Sequence, residues 1–268
     1  MDTAIPSISV EDLAGIVGTP RGPQIIDVRR ARAFDADPVL IPGALRRLPA
    51  TLVAWAQALD HDRSVVAYCL RGHEVSQDAT RTLREMGFDA IYLQGGFEAW
   101  RAAGELAVHR LPALDLPGPV ASTWVTRERP KIDRIACPWL IKRFIDPQAE
   151  FLYVPATEVT AVASRERAIP YDVPDVQFGH RGERCTFDAI LEDFGLASPA
   201  LARLAAIVRG ADTSRLDLAP ESAGLVAVSR GLGFLNQDDH ALLASGMAVY
   251  DALYAWCRGG GPDGHSLW

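Results

Sequence analysis

Short apolar runs alternate with helical spacing through the first part of the chain. Gln24-Ile25-Ile26-Asp27-Val28, Val65-Val66-Ala67-Tyr68-Cys69 and Ala90-Ile91-Tyr92-Leu93 read as strands buried on both faces. Between and around them, residues 10–17, 52–59 and 76–86 read as helices. In the last of these, Ala79, Leu83 and Met86 recur at helical spacing and Gly87 supplies a C-terminal stop. Alternating β and α segments predict an α/β domain over residues 1–105, a mostly parallel sheet flanked by helices.

The pattern then changes. Residues 106–122 carry Pro112, Pro117 and Pro119 with little periodicity and read as a linker. Residues 123–268 read as a mainly helical α+β second domain. Helices are expected near 138–144, 186–194, 199–209, 221–233 and 238–257, with strand-like pieces at 151–154 and 175–178. Pro138 has no amide proton and clashes inside a helix, so the first of these helices is expected to start beside it.

Composition narrows the function classes. The chain has 268 residues, 49% hydrophobic and 23% charged, with net charge -7. That is ordinary for a soluble two-domain protein and offers no basic surface for nucleic acid or an anionic membrane. Lys131 and Lys142 are its lysines; the other basic side chains are arginines. Cys69, Cys137, Cys185 and Cys257 are far apart in sequence, with no C-x-x-C pair, so reduced thiols are expected. The N-terminus shows neither a signal-peptide pattern nor a membrane span, and a cytoplasmic location is expected.

Cys69 carries the clearest chemistry. It ends a strand and opens the loop Leu70-Arg71-Gly72-His73-Glu74-Val75-Ser76, which leads into a helix. Loop amides and a helix N-terminus both favour negative charge, which biases the sulfur toward thiolate, a nucleophile. In the second half, Cys137 stands before Pro138 at the expected helix start. His180, Cys185 and His240 form a candidate soft-metal set, with Asp188, Asp212, Asp238 and Asp239 as further ligands or anion-site partners. The competing reading makes Cys137, Cys185 and Cys257 small buried hydrophobes and pairs the histidines structurally. Asp133, Arg134, Lys142 and Arg143 read as a structural charge cluster.

Four segments in order carry a family resemblance: Ile26-Asp27-Val28-Arg29, Ile41-Pro42-Gly43-Ala44, the Cys69–Ser76 loop, and Leu93-Gln94-Gly95-Gly96-Phe97-Glu98-Ala99-Trp100. Together they resemble a rhodanese. The resemblance implies a sulfurtransferase in which Cys69 carries a persulfide, Arg71 holds an anionic donor, and Leu70, Gly72, His73, Glu74, Val75 and Ser76 cradle the charge. Asp27 and Arg29 would support the loop. Partners would be a small sulfur donor, thiosulfate or a persulfide, and a thiol acceptor. The chain departs from the family at Glu74, which follows His73, and at Ser76, seven positions after Cys69 rather than six. The related phosphatases end their longer loop in an arginine, where this chain has Val75 or Ser76.

The second half, from Trp124-Val125-Thr126-Arg127 through the run from Ile132 to Asp146, then Phe178-Gly179-His180, Cys185-Thr186-Phe187-Asp188 and Asp238-Asp239-His240, resembles the C-terminal domain of ChrB-type chromate-resistance proteins. The resemblance implies a link to chromate, with Arg127, Arg134 and Arg143 as candidate oxyanion partners and a metal ion as the candidate cofactor. Two readings stay open. One is a cytoplasmic sulfurtransferase whose second domain presents or selects the acceptor; the other is a chromate- or metal-responsive binding protein whose first domain is regulatory.

Overall fold

The computed structural model describes residues 5–259. These group into two compact units: unit 1 runs to Val120 and includes Arg143–Pro147, and unit 2 holds Ala121–Lys142 and the chain from Gln148 onward. Of residues 106–122, expected as linker, residues 106–120 group with unit 1 and Ala121 and Ser122 with unit 2. Val108 is buried and exchanges two backbone hydrogen bonds with Leu40, and Trp100 Nε1 donates to Leu106 O.

Unit 1 runs β1 (Ser7–Ile8), α1 (Val10–Ile16), β2 (Gln24–Asp27), α2 (Ala31–Ala36), β3 (Ala44–Arg46), α3 (Leu52–Ala56), β4 (Val65–Tyr68), α4 (Glu74–Glu85), β5 (Ala90–Leu93) and α5 (Gly96–Ala102). Its sheet is parallel in the order β1-β5-β4-β2-β3, which puts β4 at the centre. Side chains alternate across the sheet. Ile26, Val65, Ala67 and Cys69 pack with Leu52, Ala56, Ala79 and Leu83 of α3 and α4. Ile25, Val66 and Tyr68 pack with Leu13, Phe34, Phe97 and Trp100 of α1, α2 and α5. This is the expected sheet with helices on both faces.

Asp27 and Arg29 are fully buried beside it. The Arg29 guanidinium donates to both Asp27 oxygens and, through Nη1 and Nη2, to the carbonyls of Asp37 and Val39, and it lies 4.2 Å from the Phe97 ring centroid. The pair ties the 37–39 turn to the end of β2, a supporting position away from the Cys69 loop bonds.

Unit 2 runs β6 (Thr123–Arg127), α6 (Ile132–Leu140), β7 (Glu150–Val154), α7 (Val159–Glu166), β8 (Ile169–Pro170), α8 (Thr186–Asp193), α9 (Pro199–Asp212), α10 (Ser222–Leu235) and α11 (Asp239–Arg258). Its small parallel sheet has the order β7-β6-β8, and the rest is helical. The strand expected at 175–178 is not formed; Phe178 makes only an isolated bridge to Tyr171, and β8 is the sheet's third strand. Among the described residues no helix is long and apolar enough to cross a membrane.

Pro138 corrects another expectation. It lies inside α6 rather than at its start, and the helix passes into a π turn at Ile141–Ile145. A proline there deprives the carbonyl four residues earlier, that of Arg134, of its amide partner. Tyr153 Oη and Tyr171 Oη fill the gap, donating to Arg134 O at 3.3 and 3.5 Å. Burial pushes both phenols above their ordinary range, so they stay protonated donors. The buried face of α6 then packs Trp139 against Phe187, Tyr250 and Tyr254.

Replacing both tyrosines by phenylalanine strands the Arg134 carbonyl in the interior. Y153F/Y171F should lower stability by about 1–3 kcal/mol in urea denaturation; a wild-type midpoint would mean that the carbonyl finds another donor.

Candidate functional site

Cys69 follows the carboxyl end of the central strand, the edge at which parallel α/β sheets place ligands. Residue parity along β4 turns it to the α4 face. Its Sγ is 3.2 Å from Ser76 Oγ in the first turn of α4, and Ser76 Oγ also donates to His73 O at 3.1 Å. The helix begins at Glu74, two residues earlier than expected, so Ser76 lies within it, fully buried. Among the described residues, none of the amides of residues 70–75 donates to a backbone acceptor, while Ser76 and Gln77 amides bond His73 O. The loop thus presents a run of uncommitted donors in front of a helix N-terminus, suited to an anion.

The loop is fixed by backbone packed on backbone. Phe97 N and Glu98 N donate to Cys69 O and Leu70 O, each at 2.9 Å. Gly72 has φ +69°, and a Cβ there would meet Leu93 O at 2.6 Å and Gly95 N at 2.8 Å. Gly96 has φ +60°, and a Cβ there would meet Gly72 N, Cys69 O at 2.5 Å and Arg71 N at 2.8 Å. Only glycine permits this approach at either position. Arg71 extends toward solvent and pairs with Glu98, Nε to Oε2 at 3.1 Å; both side chains are more than half exposed. His73 and Glu74 are exposed and Val75 is half-buried.

In unit 2 the expected metal set divides. His180 Nε2 lies 3.1 Å from Asp212 Oδ2, 3.4 Å from Asp172 Oδ1 and 3.7 Å from Asp133 Oδ2. Among the described residues, the ligand atoms of Asp133, His180 and Asp212 lie within 4.8 Å of one another. Cys185 is buried as the N-cap of α8, its amide bonded to Asp188 Oδ2. Burial and the Asp133 charge push its thiol up, away from thiolate. His240 is outside the group, its ring set edgewise 5.5 Å from Tyr153. Cys137 sits inside α6, fully buried, and burial with the nearby Asp133 charge raises its thiol, so the thiolate expected at a helix start is not supported. Asp133, read from sequence as part of a structural charge cluster, is instead at the centre of this group, and Asp172 was given no role.

Asp133 comes from the first turn of α6, Asp172 follows β8, His180 precedes α8, and Asp212 ends α9. Asp133 Oδ2 accepts the Thr186 and Phe187 amides at 2.5 and 3.3 Å, at the start of α8. Asp172 accepts from Thr186 Oγ1 and pairs with Arg127 and Arg134. Burial, with Asp212 and Asp172 beside it, pushes the Asp133 carboxyl well above the usual range, and burial with Asp172 raises Asp212.

Unit 1 thus has the architecture and the cysteine loop of a rhodanese-like domain, and the rhodanese-like family model matches residues 9–103. The model of the ChrB C-terminal domain matches residues 124–257, and the chain belongs to that family. It is 36% identical over 132 residues to Protein ChrB of Cupriavidus metallidurans, which covers 49% of this chain and 39% of that protein. A tRNA 2-selenouridine synthase from Shewanella denitrificans is 40% identical over 50 residues, 19% of this chain and 14% of that protein. The chain therefore spans well under two thirds of either relative. A solved rhodanese-related protein from Thermoplasma volcanium aligns with TM-score 0.34 and 22% identity, covering 38% of this chain and 97% of the other. A protein from Rhodopseudomonas palustris described as a possible tyrosine phosphatase aligns with TM-score 0.35 and 28% identity, covering 38% and 83%.

Gly96→Ala forces a methyl group into the loop backbone at a left-handed φ. It should destabilise the protein by about 1–3 kcal/mol or more and change the alkylation rate of Cys69. Unchanged stability and rate would show that the loop does not depend on this contact.

Proposed function

We propose that the protein is a cytoplasmic sulfurtransferase that moves sulfane sulfur through a persulfide on Cys69, in service of resistance to chromate or a related oxyanion. The observation that carries this reading is the position of Cys69 within a loop whose amides are uncommitted ahead of α4. The rhodanese-like family match supports it for unit 1, and the ChrB match supports the link to chromate for unit 2.

The chemistry is balanced without an added oxidant. The Cys69 thiolate attacks the outer sulfur of thiosulfate; the donor S–S bond breaks and sulfite leaves with the electron pair, while a Cys69 S–S bond forms. An acceptor thiolate then attacks the terminal sulfur, taking it as a persulfide and releasing the Cys69 thiolate. The loop amides stabilise the anion at each stage. Ser76 Oγ, in contact with Sγ, can donate to the thiolate by turning its one proton away from His73 O.

Intact-mass measurement after thiosulfate treatment should show a gain of one sulfur atom, reversed by a thiol and absent in Cys69→Ser. An equal gain in that variant would overturn the assignment.

Arg71 is the loop's cation for an anionic donor, yet Glu98 already occupies it. Arg71→Ala should lower kcat/KM for thiosulfate by about tenfold at most, because the side chain is solvent-screened. Glu98→Gln should raise it by a few-fold, roughly what an exposed ion pair is worth. Neither change should alter use of an uncharged persulfide donor to the same degree; equal effects on both donors would point to a disturbed loop instead.

A further inference from the structure

Four separate stretches of unit 2 bring three carboxylates to one imidazole, and the charges there do not balance. Asp172 has two cations of its own, Arg127 at 3.3 Å and Arg134 at 3.2 Å. For Asp133 and Asp212, the ion-pair partner among the described residues is His180. Asp133 is 1% exposed, and while Oδ2 is held by the α8 amides, its Oδ1 is buried with no hydrogen-bond partner. An orphaned carboxyl oxygen in the interior is a costly feature unless a proton neutralises the group or a cation meets it.

We infer that Asp133, His180 and Asp212 form a binding site for one divalent first-row transition ion, with Asp172 alongside as a further oxygen donor. Bonds of about 2.0–2.2 Å place neighbouring ligand atoms roughly 3.0–3.5 Å apart. From His180 Nε2 the separations are 3.1 Å to Asp212, 3.4 Å to Asp172 and 3.7 Å to Asp133, and the ligand atoms of Asp133, His180 and Asp212 all lie within 4.8 Å of one another, so the side chains would draw together to close on an ion. Carboxylate oxygens with one imidazole suit manganese(II), iron(II) or zinc(II) better than copper(I).

The surroundings are those of a prepared site. The α8 amides fix the Asp133 carboxylate, and Arg127, Arg134 and Thr186 fix that of Asp172, the outer-partner arrangement that orients metal ligands. The site also opens outward: His180 is 44% exposed, and Asp212 lines a cavity of about 600 Å³ shared with Arg129, Lys131 and Arg230. None of this depends on the role of Cys69.

The test uses the full chain, purified without an affinity tag and stripped with a chelator, then titrated separately with manganese(II), zinc(II) and magnesium(II) chloride. Manganese or zinc should bind one per chain and raise the melting temperature, since an ion that binds only the native state stabilises it. His180→Gln and Asp212→Asn, both at partly exposed positions, should fold and should weaken uptake by more than the roughly 10- to 100-fold lost with an outer partner. His240→Gln should bind as the wild type does. The site would be overturned if neither transition ion binds; a lowered melting temperature of stripped His180→Gln would then mark the imidazolium as a counter-cation. Binding of magnesium alone, or transition-metal binding undiminished in both variants, would overturn it equally.

Discussion

The unit 1 site depends on one close approach, that of the Cys69 loop to the Gly95-Gly96 turn. At this place two stretches of main chain touch with no side chain between them. The contact lets the amides of Phe97 and Glu98 reach the carbonyls of Cys69 and Leu70, and those bonds leave the loop's own amides facing no backbone acceptor. Rigidity of the carbonyls and availability of the amides are thus two sides of one arrangement. Phe97 extends it into the core, since its ring lies beside the guanidinium of Arg29.

Unit 2 is organised around α6. Its first turn supplies Asp133, its interior proline frees the Arg134 carbonyl for two tyrosines, and its apolar face carries Trp139 into an aromatic cluster. Close packing against α11 requires Gly246, where a Cβ would meet Ile135 Cγ2 at 2.5 Å. The start of α8 serves both duties: the Thr186 and Phe187 amides hold the buried acid, and the Phe187 ring stacks on Trp139.

The sequence revealed whatever its local pattern encodes. The strands at 24–28, 65–69 and 90–93, and the cysteine at the end of the second, follow from runs of adjacent residues. β1 and β3, of two and three residues, are too short to show a period, and α5 was masked by the glycines that open it. Pro138 misled because its local penalty is offset by Tyr153 and Tyr171, partners well removed in sequence. The 175–178 run alternates polar and apolar residues, with Val176 and Phe178 apolar, but folds as a turn, with Asp175 at φ +60°. The acidic group around His180 draws on four segments, so no window of sequence contains it. His180 was visible as a polar residue after Phe178-Gly179, whereas Asp133 was hidden among structural charges and Asp172 carried no signal of its own.

The alternation of side chains along β4 has a consequence for how this chain can vary. Cys69 shares a face with Val65 and Ala67, toward α4 and Ser76, whereas Val66 and Tyr68 face the opposite layer. A single-residue deletion within the strand would carry the sulfur through the sheet to the side of Phe97 and Trp100 while leaving every loop residue in place. The side on which this sulfur lies is therefore tied to a count: an even number of steps from the strand's start keeps it toward α4 and Ser76, and an odd number makes it part of the opposite hydrophobic layer.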